Sequence, residues 1–232
     1  MERQVELKEI SDGKLYGLDD LVRADCAGCA GCSACCRGMG NSIVLDPLDI
    51  HRLSAGLSEN FETLLKRALE LHVVDGMILP NIRMEGAEEA CPFLNEEGRC
   101  RIHEYRPGIC RLFPLGRFYE NRSFHYFLQV HECRKPGRAK IRVKKWIDVA
   151  SPEKYDEFVC RWHYFLKDMA AAVKASQNPQ AEKAVNMYVL KKFYFEPYGD
   201  GDFYEEFYSR LKKASDLFLA GEQAETGWKS HS

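Results

Sequence analysis

Five cysteines form a single run, Cys26-Ala-Gly-Cys29-Ala-Gly-Cys32-Ser-Ala-Cys35-Cys36, and four more follow at Cys91, Cys100, Cys110 and Cys133. Two residues between cysteines is the interval at which a tight turn aims both sulfurs inward and turns backbone N–H groups toward them. The Ala, Gly and Ser between them let a chain wrap closely around a site. Thiolates are soft ligands that select zinc, copper(I) or iron–sulfur clusters. Eight residues are the candidate metal ligands: Cys29, Cys32, Cys35, Cys36, Cys91, Cys100, Cys110 and Cys133. Cys26 extends the register of the run and reads as an accessory.

Zinc and iron–sulfur both remain open, and two features lean toward a cluster. The paired Cys-x2-Cys…Cys-x2-Cys symmetry of zinc ribbons is missing. The second group stands at wide, irregular gaps, so tertiary folding must bring it in. The adjacent Cys35-Cys36 pair is awkward for one tetrahedral ion, because neighbouring side chains of extended backbone point opposite ways. The two serve two centres, or one of them is structural. Cys160 stands alone on an apolar helical face and reads as a small buried hydrophobe.

The chain around these residues has 232 residues, a net charge of -2, 45 % hydrophobic and 29 % charged residues. That is an ordinary globular composition, long enough to bury a core without disulfides. The charge provides no global field for nucleic acid, so a nucleic-acid partner is not expected. The first twenty residues lack the apolar stretch of a signal peptide, and no 18-residue apolar segment reads as a membrane span. A cytoplasmic location is therefore expected, where reducing conditions favour metal ligation over disulfides.

The elements that must position the cysteines read as follows. Gln4–Ile10 and Ser42–Leu45 have strand character. Asp46-Pro47 opens a helix that Gly56 stops. Phe61, Leu64, Leu65, Ala68 and Leu69 give a helix near 59–71. Asp75-Gly76 turns a small hairpin, and residues 120–123 turn a second one between Phe118-Tyr119 and Phe124–Leu128. Residues 91–116 carry Pro92, Gly98, Pro107, Gly108 and Pro114 and read as turns. Ser151-Pro152 opens a long helix with Tyr155, Phe158, Val159, Trp162, Leu166, Met169 and Val173 on one face. Asn178-Pro179 ends it, and further helices follow at about 180–194 and 202–219.

Arg106 and Arg111 flank Cys110. Guanidinium forks suit anions, but the favoured reading is a buried salt bridge, with Asp49 as partner, that ties two cysteine segments together. Asp49 and Arg52 carry the same reading. His131, two residues before Cys133, is an outside candidate ligand. The basic stretch from Arg134 to Lys145 holds seven cations and no acid; it reads as a solvated face first and an acidic-partner surface second. Phe193-Tyr194-Phe195 and Phe203-Tyr204 read as helix-packing aromatics. No dinucleotide fingerprint, Walker loop or Gly-x-Ser-x-Gly occurs. The Cys-x3-Cys-x2-Cys spacing of radical S-adenosylmethionine enzymes is also missing, because position 39 is Met39.

Four segments together resemble the YkgJ-type cysteine-cluster family, a zinc- or iron-chelating domain. They are Cys29-x2-Cys32-x2-Cys35-Cys36; Leu45-x3-Asp49-Ile50-x-Arg52-Leu53; Cys91-Pro92-Phe93-Leu94; and Cys100-x5-Arg106-Pro107-x2-Cys110-Arg111-x-Phe113-Pro114. Their order and spacing match from about residue 26 to 147. The resemblance implies a metal-chelating, iron–sulfur domain, with a 4Fe–4S cluster as the expected cofactor and zinc as the alternative. A related branch includes flagellin lysine N-methylases, which makes a transferase using S-adenosylmethionine the alternative function. Cys26 adds a step to the family run, and His103 stands where the family more often has tyrosine.

The expected fold is mainly α with a few short strands. An irregular, metal-organised, cysteine-rich N-terminal half packs against C-terminal helices. The expected organisation is a lead-in over 1–25, a cysteine-cluster metal-binding domain over 26–147, a helical extension over 148–220 and a disordered tail over 221–232. The expected role is structural or redox, with an unidentified protein or redox partner and no membrane.

Overall fold

The computed structural model describes residues 6–27 and 32–219. Cys29, the first two residues of the Gln4–Ile10 segment and the tail expected over 221–232 lie outside the described residues.

The architecture is mainly helical with short antiparallel strand pairs, as expected. In chain order it runs α1 (Leu7–Ile10), β1 (Leu21–Asp25), a 3-10 turn (Ala34–Cys36), α2 (Pro47–Leu57), α3 (Phe61–Arg67), β2 (Leu69–Val74) and β3 (Met77–Ile82). It continues with α4 (Gly108–Leu112), β4 (Leu115–Glu120), β5 (Ser123–Leu128), β6 (Ala139–Arg142) and α5 (Val143–Ile147). The last part is α6 (Pro152–Ser176), α7 (Pro179–Leu190), a π-helical turn (Lys191–Phe195) and α8 (Phe203–Phe218). The strands form three two-stranded sheets, β1–β6, β2–β3 and β4–β5.

Local chemistry explains most of these elements. Asp46 caps α2 through a capping box: it accepts from the Asp49 N–H at 2.8 Å, and Asp49 accepts from the Asp46 N–H at 3.1 Å. Asn60 caps α3 by accepting from the Thr63 N–H, and Asp202 caps α8 by accepting from the Tyr204 and Glu205 N–H groups. The two hairpin turns carry paired positive φ angles, Asp75 and Gly76 at 50° and 88°, and Asn121 and Arg122 at 49° and 56°. Such pairs match the twist of adjoining strands.

Several sequence expectations are corrected. The described part of the Gln4–Ile10 segment is helical from Leu7, closed by the Ser11 hydroxyl donating to the Leu7 carbonyl at 2.6 Å. Ser42–Leu45 forms no strand of its own; it borders β3 through single links, such as the Leu45 N–H donating to the Pro80 carbonyl. Gly56 does not stop α2, which runs to Leu57 and ends on left-handed Ser58. A Cβ on Gly56 would lie 2.6 Å from the Tyr105 ring, so close approach explains this glycine. The helix near 59–71 ends at Arg67, because Leu69 and Leu71 join the β2 ladder against Ile82 and Pro80. Cross-strand pairing overrides the helical spacing there.

The core is one continuous cluster that includes Leu45, Leu53, Leu64 and Met77 from the first half and Phe158, Phe193 and Phe207 from the second. Long α6 lays its apolar face on α7 and α8. Phe207 meets Phe158 edge-on at 4.6 Å, and Trp162 meets Phe193 at 5.0 Å. Two polar ties lock the helices to the first half. The Asn186 side chain accepts from the Ile78 N–H at 2.6 Å, and the buried Tyr194 hydroxyl donates to the Leu45 carbonyl at 3.1 Å. The basic stretch is partly engaged: its β6 pairs with β1, and Lys144 reaches Asp19 at 2.6 Å.

Candidate metal centre

Three chain segments bring Cys35, Cys91, Cys100 and Cys110 within electrostatic reach of one another. The first is the 3-10 turn that ends at Cys36. The second is the loop 91–100, folded back on itself by the Arg101 N–H donating to the Phe93 carbonyl and by a bridge between Leu94 and Cys100. The first two are joined directly: the Cys91 N–H donates to the Cys36 carbonyl at 2.9 Å. The third is α4, which carries Cys110.

Asp49 fixes α4 in position. Its carboxylate accepts from the Gly108 N–H at 2.7 Å, across 59 residues of sequence. A Cβ on Gly108 would fall on the Tyr155 hydroxyl, so only glycine allows this approach. The salt bridge read from the sequence is therefore replaced by a backbone link. Arg111 donates to the carbonyls of Arg106, Asp148 and Glu104 and lies 3.8 Å from the Asp148 carboxylate. Arg106 donates to the His103 ring. Because Asp49 also serves the α2 cap, it ties the start of α2 to the start of α4.

Cys35, Cys91, Cys100 and Cys110 feel one another's charge. The hydrogen bond to Cys36 pushes the Cys35 thiol up, and burial adds to it. Burial raises Cys91 and Cys100, while the N–H groups of Phe93 and Ile102 donate to their sulfurs and oppose the shift. Cys110 is raised furthest in this trio by burial, then by the Asp49 carboxylate and the other sulfurs. The Arg106 charge favours thiolate at Cys35 and Cys100.

Desolvated thiols that repel each other as thiolates form a donor set whose charge a cation relieves. The chemical fit to a thiophilic metal is good, and N–H groups aimed at sulfur are the support such ligands need. The spacing is not closed: among the described residues, no three His, Cys, Asp or Glu side chains group tightly enough to hold one ion.

The other candidates fall as follows. Cys32 and Cys133 are half-buried and His131 is exposed. Cys160 sits on α6 with its sulfur 3.3 Å from the Arg122 carbonyl. Sequence reasoning missed the Phe93 and Ile102 amides and the Gly108 link. The Cys-x-N–H spacing in Cys91-Pro92-Phe93 and Cys100-Arg101-Ile102 was the available signal for the amides. It also missed the half-buried Arg117, which donates to the Tyr155 hydroxyl at 3.2 Å and faces the rings of Phe124, Tyr126 and Tyr155.

No helix among the described residues is long and apolar enough to cross a membrane. No curated protein and no solved structure matches the chain significantly. The CxxCxxCC family model, described as "Putative zinc- or iron-chelating domain", matches residues 28–134, the stretch that holds all eight candidate cysteines.

Proposed function

We propose that the chain carries a thiolate-bound iron–sulfur cluster with a structural or redox role, with Cys35, Cys91, Cys100 and Cys110 as its first donor set. The observation that carries this reading is the linkage of the Cys91 loop to the Cys36 turn by a backbone hydrogen bond, with the Cys35, Cys91, Cys100 and Cys110 sulfurs within reach of one another's charge. A four-cysteine set is the commonest ligation of a 4Fe–4S cluster. Cys29, Cys32, Cys36 and Cys133 are the remaining donors and are enough for a second centre. When bound, the metal supplies the positive charge that lets these thiols ionise. The chain's own part is to bury the sulfurs, to aim the Phe93 and Ile102 amides at them, and to place Arg106 nearby.

The test is anaerobic purification followed by iron, zinc and acid-labile sulfide assay with electron paramagnetic resonance. Iron with matching sulfide is expected. Zinc without sulfide would replace the cluster by a structural zinc site, and neither metal would sink both. Cys110→Ser should strip metal to background, whereas Cys160→Ser should leave metal content unchanged.

A further inference from the structure

A cleft of about 360 Å³ opens beside the cysteine site, between α2, the segment 104–111 and residues 148–150. His51, Arg52, Tyr105 and Arg111 line it. Tyr105 closes one wall against Gly56, where a Cβ would not fit. Ala55, Val149 and Ala150 add a short apolar surface.

Its two arginines differ. Arg111 is 8 % exposed, and its donors go to backbone carbonyls. Arg52 has a buried Nη1 with no hydrogen-bond partner. A buried guanidinium N–H without an acceptor is unfavourable, and proteins rarely leave one so. Arg52 also adds its charge to those around Arg111 and His51. The acids nearby do not answer this need. Asp46 and Asp49 face Arg52, but they accept from backbone N–H groups of the α2 cap and Gly108. Glu104 and Asp148 line the cleft, and Asp148 is 82 % exposed at its side chain. Glu206 faces His51.

We propose that this cleft binds a small organic acid, an oxyanion on a short apolar body, with Arg52 as its direct ligand and Arg111 as fixed positive background. Guanidinium forks match carboxylate and phosphate oxygens in pairs. The site shares the 100–111 segment with Cys100 and Cys110 but requires no metal for binding, so it stands or falls apart from the cluster.

The experiment is calorimetric titration of the full chain, as purified, with inorganic phosphate and separately with succinate. Saturable one-to-one binding is expected, weakened about tenfold or more in Arg52→Gln. Ala55→Glu puts a carboxylate on an exposed wall position of the cleft and should weaken binding similarly, which covers the case of Arg52→Gln failing to fold. Lys212→Gln, at a remote and 76 % exposed side chain, should bind as the parent does. Saturation by succinate, with or without phosphate, supports the site, whereas saturation by phosphate alone overturns the organic-acid assignment. Heats that never saturate, or saturable binding unchanged by both cleft variants, overturn it.

Discussion

The cysteine-bearing segments and the C-terminal helices reach their shapes by different means. Residues 152–218 form long helices whose rings interlock: Phe158, Phe193 and Phe207 are fully buried against one another and Trp162. Apolar area removed from water is the cohesive term there, at about 25 cal/mol per Å². The segments 32–36 and 91–110 have short elements and half-buried thiols, held by single backbone links such as Cys91 to Cys36 and Gly108 to Asp49. The lesson is that one region is held chiefly by apolar contacts, while the other gathers thiols that burial and one another keep from ionising.

That contrast can be broken at several points. The largest effect is expected from Phe207→Ala, which should destabilise the protein by about 3–5 kcal/mol in urea denaturation. Its cost should be the same with and without metal; a cost that vanished on metal removal would end the claim of independent helices. Chelation of the loaded protein should remove about 3 kcal/mol if free metal had stood at a hundredfold its Kd. Hydrogen exchange should then rise in 91–112 and not in 155–173, and equal rises would contradict the contrast.

Gly108→Ala comes next, at about 1–3 kcal/mol, because its methyl would overlap the Tyr155 hydroxyl. Adding Tyr155→Phe should recover part of that loss, and no recovery would mean that the Asp49 link, not the overlap, sets the cost. The smallest effect is a pH dependence in the helical half. Burial raises Asp156 from 3.8 to about 6, although the Tyr126 hydroxyl donates to it at 2.5 Å. The folded state therefore holds this proton more tightly than the unfolded chain does, so stability falls as pH rises. The loss begins near pH 4 and is complete above about 6. Asp156→Asn should flatten that part of the denaturation profile; an unchanged slope would remove Asp156 as its source.

Legibility in the sequence divides along the same line. The helices from Ser151 onward were readable because their apolar spacing and their Pro and Asp openings are local signals. The N-cap at Asp46 and the turn at Asp75-Gly76 were readable for the same reason. Leu69 and Leu71 fit a helical spacing and a strand equally well, and only their partners Ile82 and Pro80 decided between the two. Gly56 looked like a stop because nothing nearby in sequence announces Tyr105, 49 positions on.

By itself, then, the sequence determined the helical framework, the hairpin turns and a set of thiols with metal-binding spacing. These follow from backbone preferences, periodicity and ligand chemistry, which act over a few residues. Tertiary structure alone decided that Cys35, Cys91, Cys100 and Cys110 come within electrostatic reach of one another, that Asp49 holds Gly108, and that Arg52 is left with a buried, unanswered N–H. Each of these depends on contacts between residues far apart in the chain. Burial and charge at such contacts are set by what packs around them, and no local pattern encodes that.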